Sequence, residues 1–273
     1  MFPGGDLIAM RETIAALQAI GVDATAERGR ADLYHVMHCN FGWARENITY
    51  ALEQHTPYVV TPVFYPDDSL GLDFTSICGL LEGAEVVLPF SYREAGEIQR
   101  LTGYSGSFVP IPNGTSERFH GKDNASEEGW VVSVCARYPD KQVDVVEHVC
   151  ADLHVPFFCA SGRPHEEMPD IYRRSYIYIN ASVSERMSLS TAEALCAGCR
   201  VVDTTENRGN EWYGQVVQCS PWSPGIIRAA IEYAYHEPKW NFRPNQAARE
   251  WTWARVAARL KEVYAAVLAA HGN

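Results

Sequence analysis

The sequence predicts an α/β protein in which a parallel sheet, covered by helices on both faces, is built twice. Three observations carry this expectation. Short apolar runs alternate with segments of helical period along nearly the whole chain, the pattern expected of parallel strands joined by crossover helices. The alternation breaks once, at a polar stretch from His120 to Gly129, and then restarts. A chain of 273 residues with 47% apolar content is long enough for two lobes, each with its own core.

Leu7, Met10, Ile14 and Leu17 recur at helical spacing and end at Ile20-Gly21, one amphipathic helix with a glycine stop. Residues 22–26 and 33–38 read as strands, 44–54 as a helix, 58–64 and 85–89 as strands, 92–101 as a helix and 108–111 as a strand. After the break, strands are expected at 130–135, 156–159, 176–180 and 200–203, with helices at 143–153, 168–174, 189–197 and 224–235. Trp253, Val256, Leu260, Val263 and Val267 mark one face of a long final helix, a core stripe. The expected organisation is a first lobe at 1–119, a linker at 120–129, a second lobe at 130–249 and a closing helix at 250–273.

Composition excludes several classes of function. A formal charge of −11 argues against broad contact with nucleic-acid backbones, which needs a basic surface to displace counterions. No apolar run reaches the roughly 18 residues of a membrane span, and the amino terminus lacks the basic-then-apolar order of a secretory signal, so the chain is read as cytoplasmic. The eight cysteines are scattered through apolar stretches, which suits a reducing compartment and core packing. Cys196 and Cys199 have C-x-x-C spacing, but no second pair completes a zinc site. His35 and His38 have no carboxylate at ligand spacing and are read as strand-end packing, so no metal site is expected.

The stretch from Ser184 to Val202 is the most informative. Glu185 falls in a strand-to-helix loop and Glu193 about a turn into the helix. Such a loop lies at the carboxyl edge of a parallel sheet, where ligands bind. Free amides of Met187, Ser188, Leu189 and Ser190 at the helix start would favour a diphosphate, and the carboxylates would accept hydrogen bonds from sugar or ribose hydroxyls. On spacing alone the plainer reading is preferred: Ser190 or Thr191 caps the helix and Glu193 is a solvated first-turn acid.

This stretch resembles the E-x7-E motif of the retaining "glycosyltransferase group 1" family, commonly E-G-F-G-L-x-x-x-E-A-M-A-x-G-x-P-V-V. Glu185, Leu189, Glu193, Ala194, Ala197, Gly198, Val201 and Val202 match, while Arg186, Met187 and Ser188 stand where the family has Gly-Phe-Gly. Other segments are similar to the family in the same order. Phe2-Pro3-Gly4-Gly5 before a helix resembles its glycine loop, and Ile111-Pro112-Asn113-Gly114 with Phe119 resembles its I-P-N-G signature. Val134 to Asp144, with Arg137 and Lys141, resembles V-G-R-L-x-x-x-K-G-x-D, one residue shorter and with Gln142 for glycine. Asn210-Glu211-Trp212 and Trp251-Thr252-Trp253 fall where the family has its second-lobe loop and final helix.

The resemblance implies a GT-B fold, two Rossmann-like lobes with parallel sheets and a cleft between them, transferring a hexose from a nucleotide diphosphate sugar with retention and without metal. Its donor, UDP- or GDP-linked, would be a substrate and no cofactor would be needed; the acceptor is left open among glycan, lipid, small molecule and modified base. It implies that Glu185 positions the sugar, that Arg137, Lys141 and the Met187 to Ser190 amides stabilise the departing diphosphate, and that Gly4, Gly5, Asn113 and Glu193 join the donor site. In such enzymes the leaving phosphate is proposed to deprotonate the acceptor on the same face, so the absence of the family's T-x-H histidine from Thr61-Pro62-Val63-Phe64 is compatible with turnover. Asp67 and Asp68 are read as turn residues. The family's first strand has no counterpart before Phe2-Pro3, so that strand is missing or the start lies upstream. Two rivals are a nucleotide-sugar epimerase on the same fold and a sugar-nucleotide-binding protein that no longer catalyses.

Overall fold

The structure, a computed structural model, describes residues 5–39, 42–66, 73–120, 129–213, 216–236 and 246–272. Gly4, Asp67, Asp68 and most of the expected linker lie outside the described residues. The chain divides into two compact units. The larger comprises Met1–Arg11 and Asn113–Trp253, and the smaller comprises Glu12–Pro112 and Ala254–Asn273.

In chain order, α1 (Gly5–Ala19) is followed by β1 (Tyr34–Met37), α2 (Gly42–Glu53), β2 (Tyr58–Thr61), α3 (Phe74–Glu82), β3 (Val86–Val87) and α4 (Tyr92–Thr102). The three strands pair in parallel in the order β1-β2-β3. Their inward residues Val36, Val60 and Val87 join Ile48 of α2, Ile77 and Leu81 of α3 and Ile98 of α4 in one core. Ser91 caps α4 by accepting the Glu94 amide, and Gly103 ends it at φ 78, the left-handed turn that glycine adopts without strain.

Then come β4 (Trp130–Ser133), α5 (Val143–Asp152), β5 (Phe157–Cys159), α6 (Met168–Arg174), β6 (Ser175–Asn180), α7 (Leu189–Ala197), β7 (Arg200–Thr204), β8 (Val217–Cys219), α8 (Pro224–His236), α9 (Gln246–Glu250) and α10 (Trp253–Ala270). The second sheet is parallel throughout in the order β5-β4-β6-β7-β8. Its core joins Val131, Ile177, Ile179 and Val202 to Val146 and Val149 of α5 and Ile227 and Ile231 of α8. Elsewhere in this unit α6 packs on α7.

Two expected strands take another form. Residues 22–26 join no ladder: the Ala24 carbonyl accepts the Gln18 side chain at 2.7 Å and the Thr25 hydroxyl accepts the Glu27 amide at 3.1 Å. Local side-chain bonds have replaced cross-strand ones. Residues 108–111 run beside β3, with Val109 N–H on the Val87 carbonyl and Ile111 N–H on the Pro89 carbonyl, but Pro110 lacks a donor and the ladder shrinks to one bridge. Conversely, α3 was hidden because Thr75, Ser76 and Gly79 are weak helix formers, and it is held by the Asp73 cap and by burial of Ile77 and Leu81.

The final helix is anchored in the smaller unit by a polar bond through its core. His35 Nδ1 meets the Tyr264 hydroxyl of α10 at 2.6 Å, and its Nε2 meets the Thr61 hydroxyl of β2 at 2.8 Å. Either hydroxyl can donate or accept, so a neutral imidazole satisfies both, in line with its packing role. Burial holds His35 down at about 4, against an ordinary value of 6.5. The unfolded chain therefore takes up this proton first, and the contribution is full above about pH 6.5 and lost as pH falls towards 4. Denaturant titrations across that window should show a loss of about 3 kcal/mol from this group. In His35→Gln that part of the pH dependence should vanish, and an unchanged slope would remove His35 as its source.

Candidate functional site

The second sheet changes its direction of growth at β4, with β5 on one side and β6 on the other. The chain leaving β4 turns to α5 and the chain leaving β6 turns to α7, so their loops part at the carboxyl edge, the arrangement that forms a ligand crevice in open parallel sheets. Arg137 and Lys141 stand on the first loop and Glu185 on the second, and the Val183 amide donates to the Asp140 carbonyl at 2.8 Å, tying the two.

Lys141 Nζ lies 3.7 Å from both Glu185 Oε2 and Asp140 Oδ2. Its side chain and that of Glu185 are 26% and 17% exposed, so the pair is partly desolvated yet reachable. Burial pulls the ammonium down, but the charges of Glu185 and Asp140 outweigh it and Lys141 titrates above the ordinary lysine value. A pair at this separation holds a cation and an acceptor in readiness without spending their hydrogen bonds on each other.

Arg137 has a different setting. It is exposed, and its Nη1 reaches Asp144 at 2.5 Å and Glu147 at 2.7 Å, both on α5. These two carboxylates raise its pKa and already neutralise its charge. The structure thus brings Lys141 to Glu185 and pairs Arg137 with α5.

Ser188, and neither Ser190 nor Thr191, caps α7: its hydroxyl accepts the Thr191 amide at 3.2 Å. Its Oγ also meets Ser190 Oγ at 2.9 Å, which meets the buried Tyr178 hydroxyl at 2.7 Å. The Ala192 amide is the one that reaches the Ser188 carbonyl, so the Leu189 and Ser190 amides have no intrahelical acceptor, and Glu185 stands in the loop that leads into this positive end of the helix. Met187 is buried behind them, where its sulfur accepts the Asn113 amide at 3.1 Å and its carbonyl the Asn113 side chain at 3.4 Å. A Cβ on Gly5 would stand 3.9 Å from Leu189 Cδ1, so α1 begins next to α7.

Glu193 is not a solvated acid. It is 5% exposed, with Oε1 taking His165 Nε2 at 2.6 Å and Oε2 the Tyr172 hydroxyl at 3.3 Å. Arg118 Nη2 meets His165 Nδ1 at 2.5 Å; a guanidinium only donates, so Nδ1 accepts and Nε2 carries the proton towards Glu193. Burial raises the Glu193 pKa against the opposing pull of His165 and Arg118. The carboxylate is therefore committed to protein partners, and it can meet a ligand only by sharing or exchanging them.

Sequence reasoning passed over several groups here. Asp203, at the end of β7, is fully buried, accepts the Asn207 side chain at 2.6 Å and the Thr204 amide at 2.9 Å, and is pushed by burial up to about 7. A charge closing the apolar run Val201-Val202 was its signal. His165 and Tyr172 had none, since nothing in spacing joins them to Glu193. Cys196 and Cys199 are free thiols, raised by burial to about 11 and about 12, bonded to Thr115 and Tyr172 in the packing. Among the described residues no group of three His, Cys, Asp or Glu is placed to hold a metal, and no helix is long and apolar enough to cross a membrane.

Neither a protein-family model nor a curated protein matches the amino-acid sequence. The fold does have solved counterparts: the α/β architecture with parallel sheets matches that of GT-B-type glycosyltransferases. The chain is similar to sucrose-phosphate synthase from Thermosynechococcus elongatus, with a TM-score of 0.81 at 14% identity over 98% of this chain and 94% of that one. It is also similar to Anabaena HepE in complex with UDP-glucose, with a TM-score of 0.68 at 12% identity over 97% and 84% of the two chains. A third is the UDP-forming α,α-trehalose-phosphate synthase from Burkholderia xenovorans, with a TM-score of 0.64 at 10% identity over 93% and 77%. At these identities the likeness establishes the fold.

The cap offers a direct test of the local geometry. Ser188→Ala should cost about 1 kcal/mol in denaturant unfolding, whereas Ser188→Asp, an equally good cap, should keep most of that stability. Equal losses in both variants would show that the hydroxyl chain to Ser190 and Tyr178, rather than the cap, is what Ser188 supplies.

Proposed function

We propose that this chain is a glycosyltransferase that takes a hexose from a nucleotide diphosphate sugar, UDP- or GDP-linked, and transfers it with retention of configuration and without metal. The observation that carries the reading is the approach of Lys141 to Glu185, in the loop that leads into the amino end of α7, where the second sheet changes direction. A cation, a helix dipole and first-turn amides suit a diphosphate, and a half-buried carboxylate 3.7 Å from that cation suits the hydroxyls of the attached sugar. Similarity in fold to structures whose names include UDP-glucose and a UDP-forming synthase supports the same assignment.

In this reading the departing diphosphate gathers negative charge, which Lys141 and the α7 amides stabilise without reorganising. Glu185 accepts from the sugar hydroxyls and so fixes the anomeric carbon relative to the acceptor. The leaving phosphate oxygen takes the acceptor's proton on the face it departs from. Arg137 contributes only by exchanging Asp144 and Glu147 for phosphate, which makes it the lesser of the two cations.

The test is a panel of UDP-, GDP-, ADP- and TDP-sugars, followed by thermal stabilisation and then by release of free nucleotide diphosphate without added metal. One donor class should stabilise the fold and be slowly hydrolysed. Lys141→Met and Glu185→Gln should each lower that turnover by about a hundredfold, near 3 kcal/mol, and Arg137→Ala by about tenfold or less. Binding with no turnover under any acceptor would favour the binding-protein rival, for which the engaged states of Arg137 and Glu193 speak. Acceptor-free isomerisation of the sugar would favour the epimerase. If no sugar nucleotide stabilises the protein, the donor-site reading is wrong.

A further inference from the structure

A buried carboxyl that the reaction above does not use lies directly beneath the Glu185 loop. Asp203 is fully buried on β7, in register with Asn180 of β6. Its Oδ2 accepts Asn207 Nδ2 at 2.6 Å, and Asn207 Oδ1 in turn accepts the Gly209 amide at 3.0 Å. That same amide donates to the Arg186 carbonyl at 2.9 Å, and Asn207 forms a parallel bridge with Glu185. The Asn207 amide group is thus fixed at both ends, and the backbone from Asn207 to Gly209 is the rail on which Glu185 and Arg186 rest. Gly209 completes the clamp, because a Cβ there would come within 2.9 Å of Met187 Cγ.

We propose that Asp203 is a positioning residue for Glu185, acting through Asn207, and that its ionisation is coupled to binding of the sugar part of the donor. The proposal rests on the preceding reading of Glu185 as the group that holds the sugar. The ionised carboxyl is the form that accepts from both Asn207 and Thr204, and so the form that sets the clamp. The titratable groups acting on it are Glu185 from the loop, Tyr178 from β6, Tyr213 from the turn after Trp212 and Cys219 from β8; Thr191 of α7 adds a hydroxyl. None of these is a cation. Sugar hydroxyls donating to Glu185 would draw off its charge and relieve its repulsion of Asp203, so donor binding favours the ionised form. Because burial leaves Asp203 at about 7, donor affinity should rise as pH increases through neutrality and level off above it.

Calorimetric titration of UDP and UDP-glucose, and of GDP and GDP-mannose, between pH 5.5 and 8.5 tests this. The wild-type protein should bind the sugar nucleotide several-fold more tightly at the upper end, with little change for the bare diphosphate. In Asp203→Asn that pH dependence should be lost. In Asn207→Ala the preference for sugar nucleotide over diphosphate should fall about tenfold while diphosphate affinity stays, which also shows that the variant is folded. A purely structural role would weaken both ligands alike. Should these variants not fold, the carboxyl carbon resonance of Asp203 in the wild-type protein must titrate at lower pH with UDP-glucose or GDP-mannose bound. An unmoved titration, or an unaltered preference in folded variants, overturns the coupling while leaving the donor site in place. Absence of any nucleotide binding by the wild-type protein overturns both.

Discussion

Parallel strands can be joined only by a crossover that returns the chain over one face of the sheet. Every strand of the second sheet therefore ends at one edge, and every loop that leaves it begins there. Because β4 has β5 on one side and β6 on the other, the loops after β4 and β6 diverge, and Lys141 and Glu185, the latter just before α7, are brought together at the gap. The site is thus a product of strand order, and residues 44 positions apart in sequence, 141 and 185, meet through it.

What keeps that edge in one arrangement is the satisfaction of buried polar groups. A buried carboxylate without partners would cost several kcal/mol, so each one found here dictates where neighbouring chain must go. Glu193 fixes His165 and Tyr172, and Asp203 fixes Asn207 and the turn behind Glu185. The smaller unit uses the same device. Glu94, fully buried in α4, accepts the Phe64 amide at 2.7 Å and the Phe90 amide at 2.6 Å, holding the chain after β2 and after β3. One residue before Phe64, Val63 sits at φ 43, a left-handed conformation that a β-branched side chain adopts only under constraint. The Glu94 bond to the next amide supplies such a constraint.

Legibility in the sequence followed the length scale of the forces involved. The long amphipathic stripe of α10 was plain because Trp253, Val256, Leu260, Val263 and Val267 recur on one helix face, and each is buried. The loop bearing Glu185 and the helix from Leu189 to Ala197 were legible because capping and glycine termination are local, although the cap is Ser188. Residues 22–26 misled because alternation describes a strand only when a neighbour is present to pair with it. The bond from His165 to Glu193 and the clamp from Asp203 to Asn207 were out of reach for the opposite reason. Both depend on which elements the topology makes adjacent, and composition or spacing carries no record of that.

Arg186, Met187 and Ser188, between Glu185 and α7, depend on glycines elsewhere in the same unit for their tight packing. Met187 turns inward, where its sulfur takes the Asn113 amide and its methylenes fill the space above Gly209. A Cβ on Gly209 would close that space. Gly114 is restricted too, by another neighbour: a Cβ there would meet the backbone of Trp253 at 2.7 Å. Arg186 is buried with its Nη2 on the Ser184 hydroxyl at 3.0 Å, so its guanidinium is folded back onto the loop. Ser188 meanwhile takes up the capping bond and so orders the first turn. Gly209 thus leaves room for Met187 to pack inward just before the first turn of α7, whose capping bond Ser188 supplies.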